Sequence, residues 1–282
     1  MHPPLKVLIA GLGYLGEALA EGLLKEGYQV WGLRRTAAAT SHSQLHIIAA
    51  DLTDQSSLAQ AQLPAVDVVF YMPAAKHRDP QRYRQVYQQG LRNLLAALPQ
   101  KPKHLFYVSS TSVYGQNQGE WISEESPAKP DALTAQVIAA VEEEFIASDL
   151  PFTSLRFAGI YGPGRESFCQ RVATGQECLD ADEQRYTNRI HRDDGVAACL
   201  HLLQIDKKAD IYNIVDCDPA SRNEVIRWMC QQLGRELPAV KDIAPHELRA
   251  NKRVSNARLL ATGFQFQYPS FREGYRELLN KP

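Results

Sequence analysis

The sequence predicts an α/β fold: a doubly wound parallel sheet followed by a smaller C-terminal lobe. Three observations carry this. Apolar, β-branched runs alternate with helical periodicities through the first 160 or so residues. A glycine-rich turn joins the first run to the first helix. A length of 282 residues suits one large sheet unit with a modest second lobe.

The elements follow in order. KVLIAG (6–11) is an apolar strand bounded by glycine, and LGEALAEGLLKEG (15–27) sets Leu15, Leu19 and Leu23 on one helical face before stopping at Gly27. QVWGL, LHIIAA, VDVVFY and HLFYVSS read as buried strands, and FTSLRFAGI (152–160) as a further one. Strands apolar on both faces and separated by crossovers imply a parallel sheet covered by helices on each side. After Tyr161 the rhythm changes: YGPGRESF is turn-rich and the following segments are shorter and more polar. IYNIV (211–215) then reads as a strand and NEVIRWMCQQLG (223–234) as a helix ending at glycine. The expected division is 1–165 for the sheet domain and 166–282 for a mixed lobe that returns some elements to the sheet.

Composition narrows the function classes. Hydrophobic residues make up 44% and charged residues 22%, with a formal net charge of −1. That balance gives no electrostatic pull toward nucleic acid or an anionic membrane. The five cysteines are odd in number and show no CxxC spacing, which fits free thiols in a reducing compartment and no metal site. No segment reaches the roughly 18 consecutive apolar residues a spanning helix needs, and the N-terminal apolar run is short for a signal sequence. The expectation is a cytoplasmic protein with a small-molecule substrate.

GLGYLG (11–16) matches G-x-G-x-x-G between a strand and a helix, the context that gives the pattern physical meaning. Gly11 permits the tight turn, Gly13 lets the backbone approach a diphosphate, and Gly16 allows close helix–strand packing. Tyr14 and Leu15 open the helix whose N-terminus faces the anion. An NAD site usually carries an acidic residue about 20 positions on. This chain has Arg34 and Arg35 there. Two guanidiniums attract a 2′-phosphate, so NADP(H) is favoured over NAD(H). The fold class is therefore a Rossmann-type sheet with a C-terminal substrate lobe.

Further motifs occur in a fixed order: AADLTD (49–54), YMPAA (71–75), YVSSTSVYG (107–115), LRFAGIYGPGR (155–165), HRDDGVAA (191–198), YNIVD (212–216) and RVSNARLLATGFQFQYPS (253–270). With GLGYLG they cover nearly the whole chain, which resembles the extended short-chain dehydrogenases/reductases, the NAD-dependent epimerase/dehydratase superfamily. The resemblance implies that Asp51 and Leu52 border the adenine and that Pro73, Ala74 and Ala75 run beside the cofactor. It places Ser110 at the family's catalytic serine/threonine. It also implies a sugar nucleotide or related carbonyl/hydroxyl metabolite, and redox, epimerisation or dehydration chemistry. Many relatives pair through a four-helix bundle, and VIAAVEEEFIA is amphipathic enough to permit a homodimer.

The family's Tyr-x-x-x-Lys motif follows a P-x-x-P loop and precedes a glutamate. Counting from SPAKP (126–130) and from Glu142 puts Thr134 at the tyrosine and Ile138 at the lysine. A shift of two residues would place Ala132 and Gln136 there instead. A phenol of pKa near 10 is tuned toward neutrality by an adjacent ammonium; an aliphatic hydroxyl is a far weaker acid. Two readings stay open. One is an enzyme whose proton donor lies elsewhere, with Tyr114, Tyr161, His77 or His191 as alternatives. The other is an NADP(H)-binding sensor or partner subunit without turnover. Asp193 or Asp194 is expected to cap a helix, Glu142–Glu144 to form a solvated helix face, and Arg165 with Arg253 to form an anion pair for a phosphorylated substrate.

Overall fold

The computed structural model describes residues 4–36, 44–75, 77–243 and 251–279. The strands are β1 (Lys6–Ala10), β2 (Gln29–Arg34), β3 (Leu45–Ala49), β4 (Val68–Tyr71), β5 (His104–Ser110), β6 (Trp121–Ile122) and β7 (Phe152–Phe157). They continue with β8 (Gly159–Tyr161), β9 (Leu179–Asp180), β10 (Arg189–His191), β11 (Ile211–Ile214), β12 (Val240–Lys241) and β13 (Arg253–Val254). The helices are α1 (Tyr14–Lys25), α2 (Gln55–Gln60), α3 (Pro80–Tyr83), α4 (Gly90–Ala97), α5 (Leu133–Ile146), α6 (Ser167–Ala173), α7 (Arg192–Gln204), α8 (Arg222–Gln232), α9 (Ala257–Leu260) and α10 (Phe271–Leu279). A π-type turn, Arg84–Gln89, joins α3 to α4, and a 3-10 turn, Thr111–Val113, follows β5.

Seven strands form the main sheet in the order β11-β7-β5-β4-β1-β2-β3. The β1–β2, β1–β4, β2–β3 and β4–β5 pairings are all parallel. The order reverses at β1, as two windings out from one strand require. Val7, Leu8, Ile9 and Ala10 of β1 and all four residues of β4 are buried. Helices cover both faces of such a sheet, so no polar face is needed. Register sets Phe70 opposite Phe106 and Tyr71 opposite Tyr107. Their rings stack at 4.6 and 6.1 Å, and such pairs contribute roughly 0.5–1.5 kcal/mol each beyond area burial.

Contacts among the described residues divide the chain into two compact units. The first comprises Met1–Val113, Ala128–Arg156 and Cys199–Tyr212; the second comprises Tyr114–Pro127, Phe157–Ala198 and Asn213–Pro282. Strand β11 therefore serves the main sheet although it follows the second unit's first elements. In the second unit, β8 pairs with β10, β9 with β12 and β6 with β13. Its core gathers Tyr161, Val172, Leu179, Val225, Ile226, Met229, Phe271 and Tyr275 from β8, α6, β9, α8 and α10.

Two expectations about acidic residues are corrected. Glu142 is not on a solvated face. It is 2% exposed because it shares the buried stripe of α5 with Ile138, Val141 and Phe145. Arg156 of β7 meets it there: Nε donates to both carboxylate oxygens at 3.1 Å and Nη2 to Oε2 at 2.6 Å. Ser154 Oγ donates to Oε1 at 2.6 Å. Glu143 stays exposed, and Glu144 takes a two-point surface pair with Arg92. Asp194 is buried and does not serve its own helix start. Its carboxylate accepts the Gln267 and Tyr268 amides, both at 2.8 Å, clamping the loop before α10. The Asp193 amide is instead held by Nδ1 of His191 at 3.3 Å.

Candidate functional site

The first unit builds a cradle where β1 ends. Gly11 has φ +109°, and a Cβ placed on it would lie 2.6 Å from the Met72 and Pro73 backbone at the end of β4. Only glycine fits so close a passage. A Cβ on Gly16 would lie 2.7 Å from the Gly11 carbonyl, so that glycine lets α1 pack down on the turn. Gly13 is different: nothing lies within 4 Å of its Cβ position, and its backbone is extended. The space it leaves open sits at the N-terminus of α1, where the first-turn amides have no carbonyl within the helix to receive them. An anion approaching Gly13 meets those amides and the positive end of the helix dipole. The residues present therefore fit a diphosphate.

The Gly11 and Leu12 amides are spent on the Leu33 carbonyl, both at 3.0 Å, which ties the turn to the end of β2. Arg34 and Arg35 follow at once. Arg34 reaches Glu17 at 3.3 Å in a surface pair of little energetic weight, and Arg35 is exposed. Asp51, just after β3, accepts the Thr53 amide and hydroxyl, each at 2.8 Å. Burial works to raise its carboxyl, but those hydrogen bonds, with Arg82 and Arg35 nearby, hold it below its ordinary value. The carboxylate and the guanidiniums thus share one neighbourhood. Leu52 is buried, and its carbonyl accepts from Asn93 of α4 at 3.0 Å. Asn93 also accepts from Gln55 and Gln89. Sequence reasoning missed this buried amide because only the packing of α4 against α2 gives it partners.

Pro73, Ala74 and Ala75 leave the end of β4. Ser110 ends β5, and its Oγ accepts the Ser112 amide at 3.1 Å, leaving the hydroxyl proton to donate elsewhere. Helix α5 packs against β5, the 3-10 turn after it and the π-type turn. Thr134 is half-buried and Ile138 buried, so the position counted as the lysine is apolar. Gln136 holds the preceding loop through the Pro130 and Asp131 carbonyls.

A second residue that sequence reasoning passed over is Tyr87. Its hydroxyl oxygen accepts the Ala75 amide at 3.4 Å, and its ring lies 4.9 Å from that of Tyr83. Burial raises its pKa, partly offset by the Ala75 amide, so the phenol is protonated at neutral pH.

The other named candidates divide between the two units. His77 is exposed. Tyr114, Tyr161 and His191 are interior residues of the second unit. Tyr114 donates to Asn213 Oδ1 at 2.8 Å. Burial and the Asp216 charge push the Tyr161 phenol up. The His191 ring lies 3.8 Å from that of Tyr268 and edge-on to Tyr161. Lys252, buried against the Tyr114 carbonyl and ring, has its pKa lowered to about 8 by that burial. Arg165 is exposed in the turn after β8. Arg253 is sandwiched between Tyr186 at 4.6 Å and Trp121 at 5.3 Å, with Nε on the Gly119 carbonyl. Among the described residues no group of three or more His, Cys, Asp or Glu could hold a metal ion. No described helix is long and apolar enough to cross a membrane.

A strand–glycine turn–helix cradle at the head of a doubly wound sheet defines a dinucleotide-binding α/β protein. The chain belongs to the NAD dependent epimerase/dehydratase family, whose profile matches residues 7–215. It is 33% identical to the protein YeeZ of Escherichia coli K12, over 94% of this chain and 96% of that one. A solved structure from Methylobacillus flagellatus, named after the NAD-dependent epimerase/dehydratase class, is 35% identical with a TM-score of 0.80 and covers 98% of both chains. The fold is shared with Thermus thermophilus UDP-glucose 4-epimerase, solved with NAD, at 24% identity, TM-score 0.80 and 96% coverage of each chain.

Proposed function

We propose that this protein is an NADP(H)-dependent oxidoreductase of the epimerase/dehydratase type. Its substrate is a sugar nucleotide or similar metabolite with a carbonyl or hydroxyl at the reacting carbon. The observation that carries the reading is the open space over Gly13 at the α1 N-terminus, with Arg34 and Arg35 at the next strand end. The bound dinucleotide supplies or receives a hydride. The cradle amides hold its diphosphate, and the two arginines attract a 2′-phosphate; the Thermus relative binds NAD, so the preference rests on those arginines alone. Ser110 hydrogen-bonds the substrate oxygen through its hydroxyl, which keeps its proton. Arg165 and Arg253 are assigned to a phosphorylated substrate group. The protein acts in the cytoplasm in this reading.

A second reading, a dinucleotide-binding sensor or partner subunit, is favoured by Thr134 and Ile138, which give α5 neither phenol nor ammonium. Calorimetric titration with NADPH and NADH, followed by a screen of nucleotide sugars monitored through nicotinamide absorbance, separates the two. Turnover that Ser110→Ala abolishes supports the enzyme. Tight NADPH binding with no hydride transfer supports the sensor. NADH binding as tight as NADPH overturns the cofactor preference.

A further inference from the structure

We propose that Tyr87 is the residue that grips the nicotinamide-side ribose, in a chain whose counted lysine position, Ile138, supplies no ammonium. This rests on the dinucleotide-binding reading above.

The sheet order fixes which half of the ligand lies where. With the diphosphate at the end of β1 and the adenosine side toward β2 and β3, the other half runs over the ends of β4 and β5. Ala75 lies four residues past the end of β4, and Tyr87 meets that segment at 3.4 Å. In that contact the amide is the donor. The phenol therefore keeps its own proton, and a ribose hydroxyl is an acceptor it can serve.

The turn that carries Tyr87 is held from several sides. It is the π-type turn Arg84–Gln89, a distortion that in helices frequently marks a functional site. Tyr71, at the end of β4, donates its hydroxyl to the Val86 carbonyl within that turn. Gly90 closes it: a Cβ there would lie 2.7 Å from the Tyr71 hydroxyl and 3.2 Å from the Gln85 carbonyl. The Tyr83 ring braces one side. Helix α5 packs against the same turn. A phenol anchored by a backbone amide is a neutral donor. It can orient a ribose without the charge a lysine carries.

The test compares two probes on the whole chain: NADPH, and adenosine 2′,5′-bisphosphate, which lacks the nicotinamide half. Tyr87→Phe keeps the ring and removes only the hydroxyl. Loss of one neutral hydrogen bond weakens NADPH binding about fivefold, with bisphosphate binding unchanged and the unliganded melting temperature lowered by at most about 2 °C through the lost Ala75 contact. Tyr83→Phe leaves both affinities as they were. NADPH binding by Tyr87→Phe at wild-type strength overturns the assignment, as does equal loss of both probes. If the wild type binds neither probe, the dinucleotide-binding reading falls and takes this one with it. Wild-type bisphosphate binding with an unaffected Tyr87→Phe variant condemns the Tyr87 assignment alone.

Discussion

Replacing Glu142 by alanine leaves the Arg156 guanidinium inside the first unit without its counter-ion. The two side chains are 3% and 4% exposed, and the carboxylate receives three guanidinium contacts and one hydroxyl. Breaking such a pair from one side costs about 3–5 kcal/mol, because the remaining charge is buried and cannot regain its hydration. At about 2 °C per kcal/mol for a chain of this size, the unfolding midpoint falls by roughly 6–10 °C. The neighbours serve as controls. Glu143→Ala, on an exposed position, stays within about 0.5 kcal/mol. Glu144→Ala loses a surface pair with Arg92 worth about 0.5 kcal/mol. The double change Glu142→Leu with Arg156→Met recovers most of the loss, since apolar replacement of a buried pair is commonly neutral or stabilising. Thermal and urea unfolding followed by circular dichroism measure all four. Equal midpoints for the three single variants would refute the buried-pair argument.

The glycine turn gives a contrast: Gly11→Ala, at positive φ and 2.6 Å from the Met72–Pro73 backbone, lowers stability by about 2–4 kcal/mol. Gly13→Ala leaves the unliganded midpoint unchanged within about 0.5 kcal/mol, yet weakens NADPH in calorimetry at least about tenfold by filling the diphosphate space. Arg34→Glu with Arg35→Glu shifts the NADPH-to-NADH affinity ratio toward NADH by about tenfold or more; an unchanged ratio refutes the preference. His104, on β5 beside Thr153 at 3.0 Å, has its pKa lowered from 6.5 to about 4 by burial, with Lys208 adding repulsion. The unfolded chain then binds this proton more readily than the fold. Its contribution is therefore complete above about pH 6.5 and drains as pH falls toward 4, by at most about 3 kcal/mol and less after solvent screening. His104→Gln should flatten the melting-temperature profile across that window; an unaltered slope argues against it.

The strand runs, the α1 stripe of Leu15, Leu19 and Leu23 and the strand–GLGYLG–helix junction were all legible in the chain. Each is a local pattern: period, punctuation and backbone freedom are properties of neighbours in sequence. Glu142 shows where that ends. Its place four residues after Ile138 and three before Phe145 puts it on the buried face of α5, yet three adjacent glutamates read as solvent-facing. Only the packing of β7 behind that helix supplies the Arg156 that makes burial tolerable. Asp194 was read as a cap because caps are local, whereas its partners, Gln267 and Tyr268, lie more than 70 residues away. Arg253 carries no sequence sign of the Trp121–Tyr186 sandwich, nor Tyr87 of its contact with Ala75. The chain by itself determined the sheet and its strand–glycine turn–helix junction, since hydrophobic period and glycine φ are written residue by residue. Tertiary structure decided which charges and phenols are buried and what they touch, because those energies depend on distances that folding alone creates.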